Sequence, residues 1–132
     1  MATIFTKIIN GEIPCYAIAE DENHFAFLDI NPLKPGHTLV IPKKETDYIF
    51  DLDDSQLAGL IIFSKKVAAA IKNVIPCNRI GVAILGLEVP HAHIHLVPMD
   101  SMEDVNFRNP KLKFTSDEFM KIAAEISREV IL

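Results

Sequence analysis

Cysteine is scarce in this chain, and long apolar runs are absent. Cys15 and Cys77 are the only two cysteines and neither belongs to a C-x-x-C pair, so a disulfide framework is excluded and two reduced thiols are expected. No apolar run approaches the roughly 20 residues that cross a bilayer, and charge interrupts the N-terminal segment too early for a secretory signal. The cytoplasm is therefore the expected compartment, with no membrane partner.

An excess of basic residues is also missing. The 13 basic and 18 acidic residues give a net charge of −5 and form no block of one sign. Proteins that bind nucleic acid or membrane surfaces by charge carry a basic patch, so no nucleic-acid partner is expected. A small phosphorylated ligand is not excluded, because a few local hydrogen-bond donors can hold one on an acidic protein.

The length and the apolar pattern predict one domain over residues 1–132. Apolar residues at helical spacing predict a helical turn over residues 4–9, a helix of about five turns from Leu57 to Val74 and a further helix that starts near Thr115. Five short strands are predicted, over residues 16–20, 25–29, 37–41, 79–85 and 91–97.

The order of these elements favours the α+β class. Strands and helices do not alternate strictly, which predicts an antiparallel sheet of about five strands covered on one side by two main helices. A lone sheet leaves its edge strands unpaired. Pairing of an edge with a second copy of the chain would cover it, so a homodimer is expected.

The most informative segment alternates histidine with apolar residues. It reads His91-Ala92-His93-Ile94-His95-Leu96-Val97-Pro98. Because alternate side chains of a strand face the same way, the three imidazoles are expected along one wall and the residues between them in the core. Neighbouring imidazoles disfavour one another's charged forms, which indicates chemistry more than a structural role.

Nucleophilic catalysis is the first interpretation of this motif. A neutral imidazole attacks near pH 7 when an acceptor holds the proton of its other ring nitrogen. His93 has a histidine on each side and is the best-placed nucleophile, with His91 and His95 orienting the reactants and stabilising charge. Phosphoryl or nucleotidyl transfer in two steps suits such a group.

A metal site is the alternative reading, because alternate histidines on a strand converge on zinc, copper or iron. The three histidines span about 13 Å along an extended strand, so all three cannot easily ligate one ion. Two of them would need a further ligand from Glu88, His37 or Asp29.

The complete motif resembles that of the histidine triad (HIT) family of nucleotide hydrolases and transferases, His-φ-His-φ-His-φ-φ, where φ is apolar. The likeness spans roughly residues 3 to 98. Segments that look like other parts of the family domain are residues 4–9, 12–14, 20–21, 26–30 and 35–44. The resemblance implies a HIT-like fold, a purine nucleotide such as an AMP or GMP derivative as substrate, and no cofactor.

The resemblance also implies a set of catalytic residues. His93 would attack the α-phosphorus and form a nucleotidyl-histidine, and His95 would contact the phosphate or the leaving-group oxygen. His91 would support this arrangement, and His37 matches a further histidine that the family places beside the triad.

Nucleotide binding is implied for a second set of residues. Asp29 would accept hydrogen bonds from the ribose hydroxyls, since a carboxylate offers acceptors only. Ile30 would pack against the sugar or the base. Apart from the resemblance, backbone N–H groups around Leu87 to Val89 are expected to hold phosphate, with the Glu88 side chain turned outward.

The chain departs from the family pattern at three places. The phosphate-contacting asparagine is absent from residues 81–84, and Glu88 stands where relatives have a hydroxyl. A nucleotide-binding module without turnover is therefore an alternative function. If the Glu88 side chain instead faces the ligand, it would receive a cationic part of the substrate or act as an acid–base group. Thr3 and Thr6 replace the cysteines that bind structural zinc in some members, so no structural metal is expected.

Overall fold

The computed structural model describes residues 2–132 and confirms the predicted α+β class. The helices are α1 (Ile4–Ile9), α2 (Asp54–Val74) and α3 (Ser116–Glu129). The strands are β1 (Ala17–Glu20), β2 (His24–Leu28), β3 (Thr38–Pro42), β4 (Arg79–Ala83) and β5 (Ile94–Met99). All strand pairs are antiparallel, in the order β1-β2-β3-β5-β4. Within residues 2–132, no helix combines the length and the apolar character that crossing a membrane requires.

The two main helices begin at reciprocal caps that the sequence encodes. The Asp53 side chain accepts the backbone N–H of Gln56, whose side chain accepts the N–H of Asp53. Thr115 and Glu118 repeat this arrangement at the start of α3. Each cap satisfies two backbone donors that would otherwise lack a partner, which fixes where the helix starts.

The sheet is covered on both faces, and this places the site. Helices α2 and α3 pack on one face, against strand residues that include Ala26, Leu28, Val40, Ile94 and Leu96. The short helix α1 contributes Phe5 to a smaller core on the other face, with Phe25, Phe27, Leu39 and Ile41. Every residue of β3 is buried as a result. The sequence predicts helices on one face of the sheet only, and the structure adds α1 on the other face.

The histidine strand begins later than the sequence predicts. It was expected over residues 91–97, but β5 starts at Ile94. Pro90 has no N–H, the His91 N–H donates to Val89 O at 2.8 Å, and the Ala92 N–H donates to Thr46 O at 2.6 Å. These bonds take residues 91–93 out of the sheet ladder. The alternation nevertheless persists, because Ala92 lies in the same core as the inward residues of β5.

Candidate active site

A pocket of about 450 Å³ opens on the α1 side of the sheet. It collects six of the eight predicted site residues: Asp29, Ile30, Glu88, Val89, His93 and His95. Apolar side chains make up most of the remaining wall, among them Ile4, Phe5, Ile8, Ile13, Phe27 and Leu39. His91 and His37 do not line the pocket and lie buried behind it. The expectation that all three motif imidazoles share one open wall is therefore wrong for His91.

His93 has one ring nitrogen anchored and the other available. Its Nδ1 lies 2.8 Å from the backbone oxygen of His91, which can only accept a hydrogen bond. The proton of the neutral ring is therefore on Nδ1, and Nε2 keeps its lone pair. The edge-to-face contact of the ring with Phe5, at 5.1 Å between centroids, limits its rotation. An imidazole in this state can act as a nucleophile.

His95 presents the opposite nitrogen state because of His37. The Leu33 N–H donates to His37 Nδ1 at 3.0 Å, so the proton of neutral His37 is on Nε2. That Nε2–H points at His95 Nδ1, 2.9 Å away, which must accept it. Neutral His95 therefore carries its own proton on Nε2 and is a hydrogen-bond donor. A free ring lone pair and an N–H donor therefore stand side by side, with 5.0 Å between the ring centroids of His93 and His95.

Burial keeps these supporting imidazoles neutral. It lowers the pKa of His37 to about 3, with further contributions from His95 and Lys111. It lowers the pKa of His95 to about 4, and the neighbouring His93 adds to the effect. Both groups are uncharged throughout the physiological range, so the donor and acceptor nitrogens assigned to His37 and His95 do not change with pH there.

His91 is sealed under the N-terminus of α1. Its Nε2 donates to Pro42 O at 2.8 Å, and its Nδ1 lies 2.9 Å from the Thr3 hydroxyl. Burial lowers the pKa of His91, against the opposing effects of the bond to Pro42 and the charge of Glu45. The ring contacts the edge of Phe5 on the same side of the sheet as His93. His91 is thus held in place behind the pocket wall, without access to the cavity.

Asp29 brings a carboxylate to the floor of the pocket. One oxygen accepts the Asn31 N–H at 2.8 Å, and the other lies 3.6 Å from His37 Nε2. Burial raises the pKa of Asp29, and the carboxylate of Glu88 contributes to the rise. Among the described residues that line the pocket, two are acidic and none is lysine or arginine. The pocket thus offers two carboxylate acceptors, and its donors in the described part of the chain include histidine and backbone N–H groups but no cationic side chains.

Asp29, His37 and His95 also bear on the metal alternative. One potential ligand atom from each lies within 4.8 Å of the other two. A metal ion needs the lone pair of His37 Nε2, but the Leu33 N–H occupies Nδ1 and leaves the ring proton on Nε2. An ion would have to displace that proton and the bond to His95. The arrangement therefore favours a hydrogen-bonded pair over a metal centre.

Two residues near the site lie in the irregular segment after β5, where the sequence shows no motif. Phe107 lines the pocket and meets the His95 ring edge-to-face, at 4.8 Å between centroids. Lys111 donates to the backbone oxygens of Phe107 and Asn109, and its charge opposes the raised pKa of Asp29. Only the long-range folding of residues 102–113 brings them here, so no local pattern identifies them.

Comparisons with known proteins identify the family of this chain and its structural relatives. A family model described as the HIT domain matches residues 10–102. An uncharacterized HIT-like protein of Borreliella burgdorferi is 36% identical over 135 residues, which cover 96% of this chain and 97% of that protein. The adenosine 5'-monophosphoramidase hnt1 of Schizosaccharomyces pombe is 35% identical over 135 residues, covering 98% and 99%.

The solved structures include a Hit-like protein involved in cell-cycle regulation from Bartonella henselae. It matches this fold with a TM-score of 0.83 and 31% sequence identity, over 97% of this chain and 96% of that one. The agreement extends over nearly the whole length of both chains. The arrangement of strands and helices is therefore that of its solved relatives.

Proposed function

Because this chain belongs to the HIT family, we propose that it is an enzyme that hydrolyses or transfers a nucleoside monophosphate unit through a histidine intermediate. The substrates are purine nucleoside phosphoramidates, phosphoanhydrides or dinucleoside polyphosphates. The observation that carries the proposal is the pair of opposite nitrogen states: His93 offers a lone pair, and His95 offers an N–H beside it. Two curated yeast relatives named adenosine 5'-monophosphoramidases support it.

The chemistry follows from these two states. His93 Nε2 attacks the α-phosphorus, and the bond from phosphorus to the leaving group breaks. For a phosphoramidate whose nitrogen is protonated, the leaving amine departs neutral. His95 Nε2–H hydrogen-bonds to a phosphate or leaving-group oxygen as its charge grows. Water then attacks the nucleotidyl-histidine, Nε2 departs as neutral imidazole, and a proton goes to solvent.

Two measurements on the wild-type protein test this function. With adenosine 5'-phosphoramidate we expect release of AMP, and rapid acid quenching should reveal a species heavier by one adenylyl group. A panel of guanosine phosphoramidates and dinucleoside polyphosphates then compares base and leaving group. Absence of both product and adduct across the panel would refute the proposal.

A nucleotide-binding module without turnover is the second candidate. The observation in its favour is the charge of the pocket, where Asp29 and Glu88 are acidic and the described lining includes no lysine or arginine. A developing phosphate charge would then have few partners besides His95 and the backbone near Val89. Tight binding of AMP by calorimetry, without release of product from any substrate, would establish this candidate instead.

We propose that Asp29 binds the ribose and that Ile30, 63% exposed at the pocket mouth, packs against the sugar or base. For Asp29→Asn we expect kcat/KM to fall about 10-fold or more, because hydrogen bonds to a charged acceptor each contribute roughly 1.5–3 kcal/mol. A substrate with a 2',3'-dideoxyribose should show no such difference between the two proteins. Asp47→Asn, on the exposed surface, is the matched control. An equal loss with the dideoxy substrate would contradict the assignment.

We propose a homodimer that forms through β4. This strand is one edge of the sheet, and its Val82 side chain is 59% exposed. The other edge, β1, contains a register irregularity between Ala17 and Ala19, which makes it a poorer template for pairing. Sedimentation should give twice the chain mass of 14.7 kDa, and Val82→Glu should give the monomer. A wild-type monomer at micromolar concentration would contradict the proposal.

A further inference from the structure

A chain of hydrogen bonds connects the surface with the backbone of the motif. Glu45 Oε1 accepts the Thr6 hydroxyl at 2.6 Å and the Thr3 N–H at 2.8 Å. The Thr3 hydroxyl oxygen accepts the Thr6 N–H at 3.1 Å. It lies 2.9 Å from His91 Nδ1, in a buried contact across 88 residues of sequence. The N-cap of α1 and the turn after β3 are thereby tied to one imidazole.

The direction of each bond in this chain is determined by its ends. Pro42 O can only accept, so the proton of neutral His91 lies on Nε2 and Nδ1 must receive one. The donor is the Thr3 hydroxyl. Glu45 is acceptor-only when ionised, so the Thr6 hydroxyl donates to it. Hydrogen bonds from the Thr6 hydroxyl and the Thr3 N–H hold the pKa of Glu45 below its usual range.

The backbone oxygen of His91 is the group that this chain immobilises. Residues 91–93 precede β5 and make no bonds of the sheet ladder there. The His91 ring is held by Thr3 and Pro42, and the next N–H, of Ala92, donates to Thr46 O beside Glu45. The oxygen between these two anchors accepts His93 Nδ1–H. The position of the His91 oxygen determines which ring nitrogen of His93 is free. It also determines the direction in which the lone pair of that nitrogen points.

We propose that Thr3, Thr6 and Glu45 are positioning residues, which act through His91 to fix the tautomer and the aim of His93. The inference rests on the proposed function for its kinetic consequences, but the tautomer of His93 can be measured without any activity. None of the three residues needs to touch the nucleotide. Their effect belongs to the chemical step, since a small misplacement of a nucleophile costs rate more than binding.

The test compares three substitutions. Thr3→Val keeps the size of the side chain and removes the hydroxyl donor, so we expect kcat to fall about 10- to 100-fold with KM nearly unchanged. Thr3→Ser restores the donor and should recover most of the rate. Glu45→Gln changes only the charge of an exposed side chain, which spares the fold, and should cause a smaller fall in kcat.

Nitrogen-15 NMR of the histidine rings supplies the readout that is independent of turnover. Wild-type His93 should show one neutral tautomer with the proton on Nδ1, and Thr3→Val should show a mixture of the two. An unchanged His93 tautomer in Thr3→Val overturns the inference, as does a Thr3→Ser variant as slow as Thr3→Val. A shift in the tautomer with no turnover in the wild type would support the positioning and refute the proposed function.

Discussion

Replacement of His93 by glutamine is expected to lower kcat by a factor on the order of 10⁴ or more, since the loss of a covalent nucleophile in other enzymes has effects of that size. Glutamine retains hydrogen-bonding groups, but its amide nitrogen has no lone pair available for attack on phosphorus. The nucleotidyl adduct should vanish together with the turnover. Initial rates and the intact mass after quenching are the two measurements.

Binding and folding should survive this change. Glutamine is close in size to the His93 side chain that it replaces at the pocket wall, and His95, Asp29 and the apolar lining remain. AMP binding by calorimetry and the unfolding midpoint show whether the site is intact. His24→Gln is the matched control, because His24 contacts the Phe63 ring and bonds to Asp21 outside the pocket. A His93→Gln protein that keeps its rate would refute the nucleophile.

Strand alternation explains how much of the site could be predicted from the sequence. The even spacing correctly separated His93 and His95 from Ile94 and Leu96, which lie in the helix-side core. It could not show that the ladder starts only at Ile94. The Ala92 N–H is bonded to Thr46 O and the His91 ring to Pro42 and Thr3, all far away in the sequence. Whether the His91 ring is buried or open is decided by those distant partners.

The positions of the histidine ring protons could not be predicted from the sequence either. A histidine motif indicates imidazole chemistry, but which nitrogen attacks depends on the group bonded to the other nitrogen. For His95 that group is His37, and for His37 it is the backbone of Leu33 in the loop between β2 and β3. Gly36 allows this loop to close, with φ of +86° and Ile75 only 2.9 Å from where a Cβ would stand. The sequence shows a proline- and glycine-rich loop here, and only the fold shows what it holds.

The burial that keeps these imidazoles neutral has a consequence for stability in acid. In the unfolded chain each histidine has a pKa of about 6.5, whereas the folded protein has a pKa of about 3 at His37 and about 4 at His95. At a pH between the folded and the unfolded pKa of a histidine, that histidine is protonated in the unfolded state and neutral in the folded state. The free energy of unfolding therefore falls as the pH falls, by about 1.4 kcal/mol per pH unit for each histidine.

From pH 7 to pH 5 we expect His37 and His95 together to lower the free energy of unfolding by about 4 kcal/mol. His91, whose pKa is also lowered, adds to the loss. Asp29 acts in the opposite direction, because its raised pKa lets the folded state take up a proton first, and it offsets part of the loss at the acid end. Urea unfolding at pH 7, 6 and 5 measures the sum.

His37→Gln isolates one contribution to this acid sensitivity. The substitution removes one histidine that must stay neutral in the folded state. The decrease in the free energy of unfolding between pH 7 and pH 5 should therefore be smaller by about 2 kcal/mol, whatever the stability of the variant at pH 7. An equal pH dependence in the variant and the wild type would contradict the burial argument for His37. The same neutrality preserves the hydrogen bond from His37 Nε2–H to His95 Nδ1 at cellular pH, so the protein exchanges stability in acid for a fixed orientation of the His95 donor.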